Sequence, residues 1–407
     1  MSSVGIEKIG VYPCTLALPM DRLCEARGDP VSHVRDDLFV DERSLNPAWE
    51  DPVTMAVHAA DPILSTQDRD DIGLLLVCSE SGVDQEKPMS TWVQRYLGLS
   101  SRCRNLEVKH ACYSGTAALH LAACWIRAGA APGKKALVIT TDQSRMHLGK
   151  PWEYVMGAGA TALLVSDRPD FLELELPASG VYTEEVSDLT RPTSQVETGN
   201  SETSLISYLN ALEEAYDHFT EVVEGIDLDR DFRWNVYHVP FGGLTFRAHR
   251  TLLRRVGIRD ADAVARHYAE RTLPSLTYNR RMGGTYAGAT FVALLGLVDS
   301  TPAKPGDPVS IFSYGSGCCA EFYRARLGSR VREVAAAAGL RAALDARRVI
   351  DVAQYEAVER ERTSYVDQGD YEPRLDALEG LYTEKYAGRR RLLFRGMAEY
   401  VRRYAWS

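Results

Sequence analysis

Two hydrophobic rhythms alternate along the 407-residue chain. Short unbroken apolar runs, Asp71-Ile-Gly-Leu-Leu-Leu-Val-Cys-Ser79 and Lys135-Ala-Leu-Val-Ile-Thr-Thr-Asp142, fit strands buried on both faces of a sheet. Residues 117–127, 204–223 and 247–256 instead space their apolar positions three and four apart, which predicts helices. Strand-like and helical segments in alternation predict an α/β fold. The order of elements also repeats. A turn at Cys112, a small-residue helix, the 136–141 strand and a glycine-rich, hairpin-like stretch at 156–165 come first. Gly283-Gly-Thr-Tyr-Ala-Gly-Ala-Thr, a helical run to Leu295, the 309–313 strand and Tyr314-Gly-Ser-Gly-Cys-Cys-Ala-Glu-Phe322 follow. Such an echo predicts two duplicated halves packed about a pseudo-twofold axis. Residues 166–202 read as an irregular connection, and residues 329–362 as exposed helix. Residues 389–406 are basic and aromatic and read as part of a C-terminal helical appendage with a solvated face.

Composition narrows the class. Charged residues make up 25% and hydrophobic ones 45%, as in ordinary globular proteins. A net charge of −9 without a basic tail argues against nucleic acid as a partner. No apolar run is long enough to span a bilayer, and no signal peptide is apparent, so the expected location is cytoplasmic. The eight cysteines show neither Cys-x-x-Cys nor zinc-like spacing with histidine; they are expected to be reduced thiols, and no metal site is expected. Cys78, Cys124, Cys318 and Cys319 read as small buried hydrophobes. Neither glycine-rich element has a dinucleotide or phosphate-loop spacing.

The chemistry concentrates on three positions. Cys112 precedes an apolar helical run, and a helix N-terminus favours a thiolate, so Cys112 is a candidate nucleophile. Glu80 directly follows a buried strand, where desolvation raises its proton affinity toward that of a base; a capping role is the alternative. His238 ends the apolar stretch Trp234-Asn-Val-Tyr237, at a strand terminus where ligand sites gather; a structural histidine is the alternative. The Ser313–Gly317 turn offers backbone N–H groups to a developing oxyanion.

Together, Ser79-Glu80-Ser81, Ala111-Cys112-Tyr-Ser-Gly-Thr-Ala-Ala-Leu119, Gly157-Ala-Gly-Ala160, Tyr237-His238-Val-Pro-Phe241 and Phe312-Ser-Tyr-Gly-Ser-Gly317 resemble the 3-hydroxy-3-methylglutaryl-CoA synthase family of the thiolase superfamily. His238-Val-Pro-Phe-Gly-Gly243, Ala248-His-Arg250 and Gly317-Cys-Cys-Ala-Glu-Phe322 resemble its polyketide β-branching homologues. The resemblance implies a five-layer αβαβα fold with a C-terminal helical appendage. Its halves would be residues 1–170, with Glu80 and Cys112, and residues 171–407, with His238 and the appendage. It implies a homodimer, no tightly bound cofactor, and a phosphopantetheine thioester on an acyl carrier protein, or coenzyme A, as substrate carrier. Cys112 would take an acetyl group from a donor carrier protein, and Glu80 would remove a methyl proton. The carbanion would attack the β-ketone of a chain on an acceptor carrier protein, with His238 polarising or protonating that ketone. Gly315 and Ser316 would serve the oxyanion turn, while Tyr286 and Phe241 would line the pocket or pack as ordinary aromatics. Gly243 stands where primary-metabolism members usually carry a coenzyme A-binding lysine, which favours a carrier-protein donor. Gly284 stands where the family often has asparagine and removes a polar contact. An acetyl-CoA-using synthase, a decarboxylating ketosynthase and a non-catalytic carrier-binding scaffold are the alternatives.

Overall fold

The computed structural model describes residues 3–144 and 147–407. Nine strands form its main sheet: β1 (Gly5–Tyr12), β2 (Ile72–Cys78), β3 (Arg104–Val108), β4 (Lys135–Gln143), β5 (Ala158–Ser166), β6 (Leu172–Thr183), β7 (Trp234–Tyr237), β8 (Pro308–Gly315) and β9 (Cys319–Leu327). Their spatial order is β7-β8-β9-β6-β1-β5-β4-β2-β3. Outward from the β1–β6 junction, one side runs β1-β5-β4-β2-β3 and the other β6-β9-β8-β7. The second side repeats the winding of the first without its outermost strand. The antiparallel junction itself is short, Gly5 opposite Glu173 and Ile6 opposite Leu172.

Strand periodicity builds the layers, because successive side chains point to opposite faces. Leu74, Leu76 and Cys78 of β2 face one cluster, and Leu75 and Val77 face another. The inner cluster takes in α3 (Ser114–Arg127) and α6 (Ala289–Ser300) together with Trp234, Val236 and Ile311 from the other half. Residues 289–298 of α6 are all buried, as a helix enclosed on every side requires. One outer layer is α1 (Pro52–Ala60) and α2 (Met89–Tyr96) on β2, β4 and β5. The other is α4 (Ser201–Val222) and α5 (Gly242–Arg255) on Tyr237, Phe312, Tyr314 and Phe322. Helix, sheet, helices, sheet, helix: this is the expected five-layer arrangement.

Several details differ from the sequence reading. The 166–202 connection contains the twelve-residue strand β6, whose Leu172 and Leu174 are buried between partly exposed Glu173 and Glu175. The stretch at 156–165 is one strand, not a hairpin. The appendage has the expected helices, Val331–Ala338, Leu340–Asp345 and Val352–Ser364, but bury Val331, Leu340, Tyr355 and Arg362. It closes with a β-hairpin, Leu392–Ala398 against Val401–Trp406, anchored by buried Leu392, Leu393 and Phe394. Cys124 is exposed rather than buried, on the outward face of α3; Cys78 and Cys318 are buried and Cys319 partly so. No described helix is long and apolar enough to cross a membrane.

Candidate active site

Strands β2, β3 and β4 run parallel, so their C-terminal ends open on one edge of the sheet. Glu80 leaves β2 there. Its backbone is pinned by Asp142, near the end of β4. One Asp142 carboxylate oxygen accepts hydrogen bonds from the Glu80 N–H at 2.9 Å and from the Ser79 and Ser81 hydroxyls, each at 3.0 Å. The other oxygen of Asp142 is buried without a partner among the described residues. Burial and the neighbouring Asp142 charge hold the Glu80 carboxyl well above the usual carboxylate range, while Arg191 pulls the other way.

Cys112 sits in the turn before α3. Ala111 has a φ of 40°, a left-handed bend that turns the chain sharply ahead of the cysteine. The Cys112 thiol donates to Glu80 Oε2 across 3.4 Å. Burial first, then the Glu80 and Asp142 charges, push the thiol well above its ordinary value. This corrects the expected thiolate. The helix begins at Ser114, beyond the cysteine, and the carboxyl groups around the sulfur outweigh its terminus. The resting nucleophile is a neutral thiol beside the Glu80 carboxyl group, which in its ionised form can receive the thiol proton.

Gly315 and His238 bring the second half to the same place. A side chain at 315 would put its Cβ 2.6 Å from the Tyr113 nitrogen and 2.7 Å from the His110 oxygen, so only glycine lets the end of β8 lie against the Cys112 turn. β7 lies parallel beside β8, and the His238 N–H donates to the Phe312 carbonyl at 2.7 Å. The Tyr208 hydroxyl caps the His238 carbonyl at 2.8 Å. Burial pushes the His238 imidazole down to about 3, so the ring is neutral, and its Nδ1 is buried without a partner among the described residues. In the Gly315–Cys318 turn, the Gly317 N–H donates to Asp188 at 3.1 Å and the Cys318 N–H to the Glu184 carbonyl. That narrows the expected oxyanion donors of this turn to Ser316.

The remaining positions differ in kind. Tyr286 is buried at a φ of 50°, with its hydroxyl unpartnered among the described residues, and it responds to the charges of Glu197, Arg191 and Glu80. It faces the site. Phe241 is half-buried against the outer aromatic cluster of the second half, so the structure gives it a packing role. Gly284 donates to Val155 O at 2.7 Å, and a Cβ there would lie 2.8 Å from Pro240 O. The backbone after His238 therefore fills the space an asparagine would need. At Gly243 a Cβ would fall 1.8 Å from the Asp37 carbonyl oxygen, so residues 37 and 38 occupy the place of any side chain.

Two site residues escaped the sequence reading. Asp142 ends a strand in an unremarkable Thr-Thr-Asp. Arg191 lies in the polar stretch read as irregular; its Nη1 donates to the Glu80 carbonyl at 2.8 Å and its Nε to Glu197 at 3.1 Å. The period-two pattern of β6 was the available signal that this segment is structured. For Arg191 itself there was none.

Known proteins match this arrangement. Models of the hydroxymethylglutaryl-coenzyme A synthase N-terminal and C-terminal regions match residues 48–170 and 251–387. The chain is 35% identical to the polyketide biosynthesis 3-hydroxy-3-methylglutaryl-ACP synthase PksG of Bacillus subtilis (strain 168), over 100% of both chains. It is 29% identical to the hydroxymethylglutaryl-CoA synthase of Enterococcus faecalis, over 88% of this chain and 91% of that one. The curacin biosynthetic pathway HMG synthase superposes with a TM-score of 0.95 at 37% identity over 100% of both chains. The same synthase in complex with acetyl donor-ACP superposes with a TM-score of 0.95 at 36% identity, again over 100% of both.

Proposed function

The chain belongs to the hydroxymethylglutaryl-CoA synthase family, and from that premise we propose that it adds an acetyl group to the β-ketone of a carrier-bound polyketide intermediate. The product carries a new carboxymethyl branch. The observation that carries the chemistry is the 3.4 Å contact between the Cys112 thiol and the Glu80 carboxyl group.

The steps follow from those protonation states. The thiol sulfur attacks the acetyl thioester of the donor; an acetyl–cysteine thioester forms and the donor carrier leaves as a thiol. The Cys112 proton passes to Glu80 and on to that leaving sulfur. The carboxylate of Glu80 then removes a proton from the acetyl methyl. Its raised proton affinity makes it a stronger base than an ordinary glutamate. The carbanion forms a bond to the ketone carbon of the acceptor. His238, kept neutral by burial, donates a hydrogen bond to the ketone oxygen and gives it a proton as the new bond forms, leaving a hydroxyl; the proton that Glu80 took from the methyl group returns to the imidazole through solvent. Backbone amides at Cys112 and Ser316 hold the thioester oxygen as it gains charge. Water releases the branch from Cys112 and restores the thiol.

A donor bound as a carrier-protein thioester is supported by PksG and by the curacin synthase solved with acetyl donor-ACP. Within this chain, the filled space at Gly243 supports it too, since no cation can stand there for coenzyme A phosphates. The acceptor rides on a second carrier protein. A homodimer is supported by β3, an edge strand whose Leu106 is 55% exposed near α3, where Leu121 is 60% exposed. A division into halves at residue 170 is supported by the strand connectivity, because β5 ends at Ser166 and β6 begins at Leu172. In class, the reaction is an acyl transfer in which the acyl group becomes alkyl.

The test is the intact mass of the protein after incubation with acetyl-carrier protein or with acetyl-CoA. An acetyl gain on the Cys112 peptide is expected, faster from the carrier protein. No gain from either donor would sink the reading.

A further inference from the structure

Residues 189–199 form a small hairpin, Leu189–Thr190 paired with Thr198–Gly199, that crosses from one half of the molecule to the other. Its root is held by Asp188, which is buried and accepts from the Tyr314 hydroxyl at 2.9 Å and from the Gly317 N–H at 3.1 Å. Its tip reaches the C-terminal extension, where Ser194 Oγ donates to Asp367 at 2.7 Å and Gln195 Nε2 donates to the same carboxylate at 2.9 Å. Between root and tip, the Arg191 guanidinium turns inward. It pairs with Glu197 on the opposite arm of the hairpin and donates to the Glu80 carbonyl at 2.8 Å.

We propose that Arg191 is a positioning residue for the base: it latches the hairpin onto the Glu80 loop and fixes a positive charge beside the Glu80 carboxyl. This rests on the reading of Glu80 as the base given above. A merely structural arginine would tie the hairpin down with no consequence for proton transfer. Here the tie ends on the backbone of the residue that takes the proton.

The charged and titratable groups facing Glu80 come from each packed element. Asp142 comes from near the end of β4, Cys112 from the turn before α3, Tyr286 from the turn before α6, and Arg191 and Glu197 from the hairpin. Asp142 and Glu197 favour the protonated carboxyl, and Arg191 opposes them. Removing the guanidinium leaves the two carboxylates opposed only by the Cys112 hydrogen bond. The base form is then lost at a higher pH as the solution is acidified.

The experiment uses the full chain, acetyl-carrier protein as donor and acetoacetyl-carrier protein as the β-keto probe. Arg191→Met is expected to reach full acetylation at Cys112, at a rate lowered through Glu80. Its condensation at neutral pH falls about tenfold, and the acidic limb of its pH profile moves up by about one pH unit or more, the usual reach of a close guanidinium on a carboxyl. Arg191→Lys keeps the charge and loses the fork. Its limb stays nearer that of the parent, while hydrogen exchange quickens in residues 189–199. If the Arg191→Met limb superposes on the parent limb, the latch does not act on the base. Should Arg191→Met fail to fold, Arg191→Lys decides, and unchanged exchange in the hairpin overturns the proposal. A parent protein that acetylates but forms no condensation product overturns the functional reading instead, which separates the two failures.

Discussion

Glu80 takes up a proton at a pH where an exposed glutamate, near 4.3, has already lost it. Burial and Asp142 both act in that direction. Condensation needs the carboxylate, so its rate should fall on acidification along a limb displaced upward from the ordinary carboxylate range. His238 adds no limb near neutrality, because burial keeps it neutral down to about 3. Glu80→Gln removes the base while leaving the amide hydrogen bond to Asp142 in place. Cys112 should still gain acetyl by mass, more slowly because its proton acceptor is gone, and condensation should drop further, by about two to four orders of magnitude. Condensation at the parent rate would end the assignment. Glu80 and His238 were legible in the sequence because each follows or ends an apolar run, and Cys112 because it precedes one. Asp142 and Arg191 were not, since their roles arise from what folding sets beside them.

Among the elements, β8 shows how a strand end shapes a site. Its last residue, Gly315, meets the backbone of the Cys112 turn with no room for a methyl group. Gly315→Ala should therefore cost about 1–3 kcal/mol, as overpacking does, and slow acetylation of Cys112. Thermal melting and the intact-mass time course check both; an alanine variant with parental melting temperature and rate would contradict the contact. Helices were easy to read, although α5 begins five residues ahead of the expected 247, at the glycine pair after Phe241. That start carries no side-chain cap, because Phe241 stands at the capping position. β6 was hidden because Pro177, Ser179 and Gly180 interrupt its leucine alternation. The closing hairpin was hidden by its arginines, which lie among the buried Leu392, Leu393 and Phe394 that anchor it.

For the whole molecule, the repeat of turn, helix, strand and glycine turn was enough to foresee two halves. The sequence held no sign that the second half lacks a counterpart of β3. That asymmetry leaves one outer edge of the sheet at β3, with its ladder unpaired on one side. Leu106→Arg on that edge should abolish a homodimer, and light scattering coupled to size exclusion would show monomer. A dimer of unchanged mass would place the interface elsewhere.

Gly243 has a consequence for the history of such a chain. Its side-chain position is taken by the main chain of Asp37, not by a side chain that one substitution could trim. Restoring a lysine at 243 requires residues 37 and 38 to be rerouted first, and neither change is useful without the other. Donor preference of this kind behaves as a ratchet. A single mutation can relax an electrostatic preference, but it cannot reopen a space that the backbone has closed.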